Sequence, residues 1–278
     1  MSTARAVRTV AAKVPSTGSS DYSIASLARG LRVVSAFSTG VRELSLADIA
    51  KIADVSRPSA LRIAHTLCEE GYLAKNDRTK GYKLGPKAIS VGLTMLATLP
   101  LIEIAEPYML DLRNRIDRTI KMAVRDDTDI VYVARMPSVT YRPTLDYRVG
   151  TRLPAVQSSM GRVLVATLPD KEIDDILSRT ALVAFTAKTL MDPDEIWAEI
   201  KRVRANGYAL TDQGVSLERR AAAVAITNGS GEAIAAINVS VSALDCTAEE
   251  LEQKYVPLLK ETAAAVSRVV PPDMSGLG

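Results

Sequence analysis

From residue 26 onward apolar side chains return at helical spacing, Leu27, Leu31, Val34 and Phe37, with Gly40 placed to stop the helix. Ser45 is placed to cap a second helix that turns Leu46, Ile49, Ala50 and Ala53 inward. After Asp54 and Val55, Ser56 is placed to cap a third, with Pro58 in its first turn. The third helix gathers Ala60, Ile63, Ala64 and Leu67 on one face and Ser59, Arg62, Thr66 and Glu69 on the other, until Gly71 ends it. Residues 72–75 and 81–84 read as two short strands around a basic turn over 76–80. Helix, helix, helix and hairpin in that order predict a winged helix-turn-helix.

The period then changes twice. Pro86 opens a helix marked by Ile89, Leu93 and Leu96, and a second follows Pro100 with Ile104, Tyr108 and Leu112. From Ile120 the spacing falls to two, as Ile120, Met122 and Val124 alternate with Lys121, Ala123 and Arg125, and residues 130–136 supply the next strand. A loop with Arg142, Arg148, Gly150 and Pro154 leads to a helix over about 159–167 and another over 193–206, whose Ile196, Trp197, Ile200 and Val203 point inward. Strands return at 208–212, 222–227 and 233–242, the last two joined by a turn signal from Asn228 to Gly231. Along the last strand Ala235, Ile237, Val239 and Val241 face one way and Asn238, Ser240 and Ser242 the other. A final helix places Leu251, Tyr255, Leu258, Thr262, Val266 and Val269 on one stripe. The expected organisation is a disordered arm over 1–21, a winged helix-turn-helix over 22–85, a linker helix over 86–100, an α+β domain over 101–270 and a tail over 271–278.

Composition agrees with two folded domains: 278 residues, 24% charged and 47% hydrophobic. No apolar run reaches the roughly 18 residues of a membrane span, and nothing resembles a signal peptide, so a soluble, cytoplasmic protein is expected. The net charge of +3 is unevenly divided. Residues 1–90 carry 14 Lys and Arg against 7 Asp and Glu, whereas the remainder carries 21 against 25. A basic first part suits a polyanion; the second part has another task. Cys68 and Cys246 offer neither a disulfide framework nor a zinc spacing. The single histidine, His65, removes Ser-His-Asp triads, Cys-His dyads and His-rich metal sites, and one turn after Arg62 it reads as a surface or packing residue. No metal and no cofactor are expected.

In the helix-turn-helix, Ala50 takes the small packing position and Ile49, Ala53, Val55, Ala60 and Ile63 the apolar slots. Asp54 stands at the turn usually given to Gly, which Asp tolerates because it enters the left-handed region. The start of the second helix of such a motif enters the major groove of double-stranded DNA, which nominates Ser56, Arg57, Ser59 and Arg62. Lys75, Arg78, Lys80 and Lys83 on the wing suit phosphate or minor-groove contacts. A small helical domain with an ordinary charged surface is the alternative.

Several segments carry a further signal: Leu27-Ala28-Arg29-Gly30-Leu31, the run from Thr66 to Leu73, Gly81-Tyr82-Lys83-Leu84-Gly85, the run from Val149 to Pro154, and Ser159-Met160-Gly161-Arg162-Val163-Leu164. Together they resemble the IclR family of bacterial transcriptional regulators over about residues 23–270. The Arg29-Gly30-Leu31 start and the strand from Ala236 to Ser240 resemble the branch controlling catabolism of aromatic acids such as protocatechuate, 4-hydroxybenzoate and β-ketoadipate. The resemblance implies a two-domain α+β protein: a winged helix-turn-helix, a linker helix and a GAF-like α/β effector-binding domain. It also implies a homodimer or dimer of dimers that binds operator DNA under control of a small organic acid.

Carried over by position, the family's effector pocket falls on Ser159, Met160, Thr211, Asp212, Ala221, Asn238 and Ser240. The helix start near Ser159 independently offers backbone N–H groups for a carboxylate. Ala221, where Ser or Cys is frequent, and the bulky Met160 favour a partly apolar acid over one as small as glyoxylate. Arg142 and Arg148 are open either to pairing with a carboxylate or to solvation. Two other function classes compete. One is a small-molecule enzyme with an N-terminal assembly domain, against which stand the lone His and the lack of a Walker loop or a Gly-x-Gly-x-x-Gly loop. The other is an architectural DNA binder without a ligand.

Overall fold

The computed structural model describes residues 22–140 and 147–276, and the chain divides between Thr98 and Leu99 into two compact units. The arm expected over 1–21, the last two residues of the tail and Arg142 lie outside the described residues.

In the first unit, α1 (Ala25–Ser35) and a 3-10 turn (Ala36–Thr39) are followed by α2 (Leu46–Ala53), α3 (Arg57–Glu69), β1 (Leu73–Lys75), β2 (Tyr82–Leu84) and α4 (Pro86–Ala97). Ser45 and Asp48 close a reciprocal capping box at the start of α2: the Ser45 hydroxyl accepts from the Asp48 N–H at 3.2 Å, and the Asp48 carboxylate accepts from the Ser45 N–H at 2.9 Å. Asp54 ends α2 in the left-handed region at φ 53°. Val33, Phe37, Leu44, Ile49, Ala53, Ala60, Ala64, Leu73 and Tyr82 form the core. The hairpin gains a third member, because Leu44 and Tyr82 exchange backbone hydrogen bonds of 2.8 Å in both directions.

Two local expectations change. α1 carries apolar residues on more than one face, and only the face through Val33 turns inward; Leu27 and Leu31 are more than half exposed. Ser56 occupies the N-cap position of α3, but its hydroxyl donates to Ser59 Oγ at 3.1 Å instead of capping a backbone N–H.

The second unit opens with α5 (Pro100–Ile116), β3 (Thr119–Asp126) and β4 (Asp129–Met136). It continues through β5 (Arg152–Pro154), a 3-10 turn (Ala155–Gln157), α6 (Ser159–Val165), α7 (Asp170–Arg179) and α8 (Pro193–Asn206). Strands β6 (Ala209–Asp212), β7 (Arg219–Thr227) and β8 (Ala233–Ser242) complete an antiparallel six-stranded sheet of order β5-β4-β3-β8-β7-β6. Neither β5 nor α7 stands out in the pattern of apolar positions, and β7 begins three residues earlier than expected, which brings Arg219, Arg220 and Ala221 into the sheet.

The two faces of the sheet differ. Ile120, Met122, Val124, Ile237, Val239 and Val241 form one apolar face, on the side of the closing helix and α5. That closing helix consists of α9 (Ala248–Glu250), a π turn (Leu251–Tyr255) and α10 (Val256–Ser267). The π turn takes up one extra residue within the helix, and α10 keeps Thr262 and Val266 of the expected stripe buried, with Leu259 and Val270 buried in place of Leu258 and Val269. The opposite face is ordered in rows across the strands. Tyr132, Ala123, Ala236 and Ala225 form the first row, then Lys121, Asn238, Ala223 and Ala209, then Thr119, Ser240, Ala221 and Thr211, and last Ser242 and Arg219. The alanines let α6 lie close to the sheet, and every residue of α6 is buried. Gly161 is required there: a Cβ would stand 2.1 Å from the Ala155 carbonyl oxygen. α8, capped by Asp192 and ended by Gly207 at φ 73°, covers α6 with Ile196, Ile200 and Val203.

Among the described residues no single helix is long and apolar enough to cross a membrane.

Candidate nucleic-acid interface and ligand cleft

In the first unit the nominated cations stand outward. Arg57 and Arg62 on α3 are exposed, as are Ser56 and the wing residues Lys75, Arg78, Lys80 and Lys83, while Ser59 is half-buried. An acid behind the wing sets the shape of its turn. The Asn76 amide donates to Glu43 Oε2 at 3.0 Å and Thr79 Oγ1 donates to Glu43 Oε1, while Asn76 Oδ1 accepts from the Arg78 N–H at 3.1 Å. The hydrogen bond from Thr79, then that from Asn76, hold the Glu43 carboxyl below its ordinary pKa. Lys80 is left-handed at φ 61°. Nothing in the spacing of residues marked Glu43 for this role. His65 lies on the surface of α3, its Nδ1 3.1 Å from Glu69.

In the second unit the polar rows of the sheet do not face solvent. Asn238, Ser240 and Ser242 are 4%, 6% and 8% exposed. Asn238 and Ser240 lie at the floor of a cleft that also takes in Ser159, Met160, Thr211 and Ala221. Six of the seven residues carried over by position therefore line one cleft. Asp212 does not: it is exposed, and its carboxylate accepts from Arg220 Nε at 2.6 Å. Through that pair it steadies a cleft-lining arginine, which also donates to the carbonyls of Ala243 and Cys246. Arg148 is exposed and outside the lining.

The helix start near Ser159 also differs from expectation. α6 has only seven residues, and the Ser158 hydroxyl already accepts from the Gly161 N–H at 3.0 Å. A short helix with one terminal donor taken is a weak anion receptor. The weight passes to side chains, and several of these were not foreseen: Lys121, Tyr132, Tyr147, Arg219 and Arg220. Lys121 is 3% exposed, with its ammonium 5.9 Å from the ring centres of both Tyr132 and Tyr147. Those two rings stack at 5.8 Å. Burial pushes the Tyr147 hydroxyl up to about 12. Asn238 Oδ1 is buried without a hydrogen-bond partner. Arg162, wholly inside α6, donates to the Leu210 carbonyl at 2.5 Å and to Thr211 Oγ1 at 3.1 Å, which ties α6 to β6 beside the cleft. The charged side chains lining the cleft, among the described residues, are all cations.

The cavity left between these side chains is about 40 Å³, so anything much larger than water enters only as they part. A larger groove of about 490 Å³ runs past Val163, Leu168 and Arg204. There Arg204 is committed to the carbonyls of Ala166 and Leu168 and to Asp170, which makes that groove the poorer receptor. No cluster of three or more metal-binding side chains occurs among the described residues.

Comparison with known proteins extends over both units. The model of the IclR helix-turn-helix domain matches residues 26–77, and that of the bacterial transcriptional regulator IclR C-terminal region matches residues 93–268. The chain is 38% identical over 243 residues to the Pca regulon regulatory protein of Pseudomonas putida, covering 87% of this chain and 82% of that one. It is 28% identical over 259 residues to the p-hydroxybenzoate hydroxylase transcriptional activator of Acinetobacter baylyi, covering 90% and 93%. The fold is shared with the crystal structure of an IclR homolog complexed with 4-hydroxybenzoate from Microbacterium hydrocarbonoxydans. That likeness has a TM-score of 0.69 and 23% identity, and covers 87% of this chain and 98% of that one.

Proposed function

The chain belongs to the IclR family of bacterial transcriptional regulators, and from that premise we propose that it binds operator DNA as a homo-oligomer and releases or reshapes that contact when a small organic acid occupies the cleft of its second unit. In this reading residues 22–85 read DNA, 86–100 link and 101–270 sense. Arg57, Arg62, Ser56 and Ser59 meet base edges or phosphates, and Arg78 and Lys80 meet the backbone beside the groove. The acid belongs to the aromatic catabolic class, a choice supported by the relatives named for p-hydroxybenzoate hydroxylase and the Pca regulon and by the complex with 4-hydroxybenzoate. Ser159, Met160, Thr211, Ala221, Asn238 and Ser240 form its receptor, with Asp212 acting through Arg220.

The observation that carries the reading is the pairing, in one chain, of an exposed cationic α3 with a covered polar cleft lined by cations. Homo-oligomer formation is supported by the apolar side chains that α1 and α4 leave outward: Leu27, Leu31, Ile89 and Leu93 are each more than half exposed. A regulator of this kind works beside the chromosome, in the bacterial cytoplasm, and catalyses nothing.

The test is a titration of labelled DNA from the chain's own promoter, and of random duplex of equal length, with and without aromatic acids. Tighter binding to the promoter fragment, altered by an acid, is expected. Equal binding to both duplexes at moderate salt would overturn the DNA-reading part, and promoter binding indifferent to every acid the cleft takes up would overturn the control.

A further inference from the structure

The basic turn of the wing is fastened from behind by an acid. Glu43 stands one residue before Leu44, whose backbone exchanges hydrogen bonds with Tyr82, and this pairing brings the acid alongside the turn. Glu43 Oε2 accepts from the Asn76 amide at 3.0 Å, and Oε1 accepts from Thr79 Oγ1. Asn76 passes the hold on to the backbone. Its Oδ1 accepts from the Arg78 N–H at 3.1 Å, its carbonyl accepts from the Lys80 N–H at 2.8 Å, and its N–H donates to the Gly81 carbonyl at 2.8 Å. Arg78 and Lys80, the two cations of the turn, stand on either side of Thr79. Lys80 is held at φ 61°, a backbone region that a residue with a side chain keeps only where its surroundings impose it. Gly81 leaves room for the acid: the nearest atoms that a Cβ there would meet beyond its chain neighbours all belong to the Glu43 side chain.

An acid beside a DNA-facing turn is ordinarily adverse, because it repels phosphate. Here both carboxylate oxygens are engaged by neutral donors, and neither Arg78 nor Lys80 is drawn into a salt bridge with them. The acid therefore shapes the turn and leaves its cations available. A turn already ordered delivers those cations without losing freedom on binding, whereas a released turn has to be ordered at the moment of contact.

Resting on the reading of Arg78 and Lys80 as contacts to the DNA backbone, we propose that Glu43 is a positioning residue for DNA binding. Despite its negative charge it raises affinity, by holding the wing turn in the shape that presents both cations to phosphate.

Anisotropy titrations of the full-length protein on labelled promoter DNA and on random duplex, at several salt concentrations, test this. Glu43→Ala is expected to weaken binding roughly three- to tenfold on both duplexes and to lower the slope of log affinity against log salt by about 1. An acid that acted through its charge alone would do the opposite on removal and tighten binding. Glu43→Gln keeps the shape without the charge, since its amide oxygen accepts from Asn76 and its amide nitrogen donates to Thr79 Oγ1; it should bind at least as tightly as the unaltered protein. Gly81→Ala keeps the charge but crowds the carboxylate out of its seat, so it should weaken binding as Glu43→Ala does and add nothing to it in the double variant. Thermal midpoints show which variants are folded. Unchanged or tighter binding by Glu43→Ala, a Glu43→Gln as weak as Glu43→Ala, or a Gly81→Ala loss that adds in full to that of Glu43→Ala would each overturn the proposal. If Arg78→Ala and Lys80→Ala leave affinity and salt slope unaltered, the wing reading falls and the proposal with it; if they weaken binding and Glu43→Ala does not, only the proposal falls. Should Glu43→Ala fail to fold, Gly81→Ala decides: weaker binding with a lower slope supports the proposal, and unchanged binding overturns it.

Discussion

The two units place their cations in opposite surroundings. Arg57, Arg62, Arg78 and Lys80 stand in solvent, whereas Lys121, Arg162 and Arg219 are 3%, 4% and 9% exposed. An exposed cation keeps its water and its rotamers, contributes through charge that salt screens, and is dispensable to the fold. A buried cation has given up its water in exchange for fixed neighbours, so its removal leaves those neighbours incomplete. The first arrangement suits a long polyanion approached from outside, and the second suits a small ligand selected by shape and hydrogen bonding.

The largest effect should come from the buried side. Arg162→Ala removes the donors to Leu210 and Thr211 and opens a void inside α6, for an expected loss of about 2–4 kcal/mol in the urea unfolding of the full chain. A loss below about 0.5 kcal/mol, the range of ordinary surface changes, would break the contrast between buried and exposed cations. On the exposed side, Arg62→Ala should leave unfolding nearly unaltered and weaken operator binding by about 1–3 kcal/mol, with relaxed sequence preference, if it meets a base edge. Arg78→Ala should weaken binding evenly across sequences and lower the slope of log affinity against log salt by about 1. A sequence-dependent loss at Arg78 would move the wing from backbone contact to base reading.

The smallest effect is in pH. Asp117 ends α5 in the left-handed region at φ 45°, and its carboxylate accepts from Thr140 Oγ1, the Val139 N–H and Ser138 Oγ. These bonds, that from Thr140 first, bring its pKa from 3.8 to about 2. The folded value lies below the unfolded one, so the stability it contributes is complete above about pH 4 and is lost as pH falls toward 2. Asp117→Asn keeps a residue that tolerates this backbone and should flatten that part of the acid-unfolding curve. An unchanged slope between pH 4 and pH 2 would remove Asp117 from the acid response.

The first unit was largely legible from the chain, because its contacts are local. Asp54, Ser45 and the inner faces of α2 and α3 are each dictated by residues within one or two turns. The face of α1 was not, since only the neighbouring helices decide which of its apolar sides is covered. The cleft was legible in one strand and illegible as an assembly. Asn238 and Ser240 reveal themselves by alternation, but alternation alone assigns Lys121 to a wet face. What dries that face is α6 and the stacked pair of Tyr132 and Tyr147, brought there by a sheet that pairs β3 with a strand more than a hundred residues away. Arg219 and Arg220 were missed for another reason: basic residues at a strand end look like the end of the strand.

The π turn at Leu251–Tyr255 has a consequence for changes in the length of the closing helix. An α-helix advances about 100° per residue, so a surplus residue in a regular helix turns everything after it away from its face, whereas a π turn takes that residue up within a single turn. Leu251 and Tyr255 at its ends and Leu259, Thr262, Val266 and Val270 beyond it are accordingly all buried. Deleting one residue from this turn should restore a regular helix with the same face inward, while inserting one into α10 should turn its later residues away from the sheet.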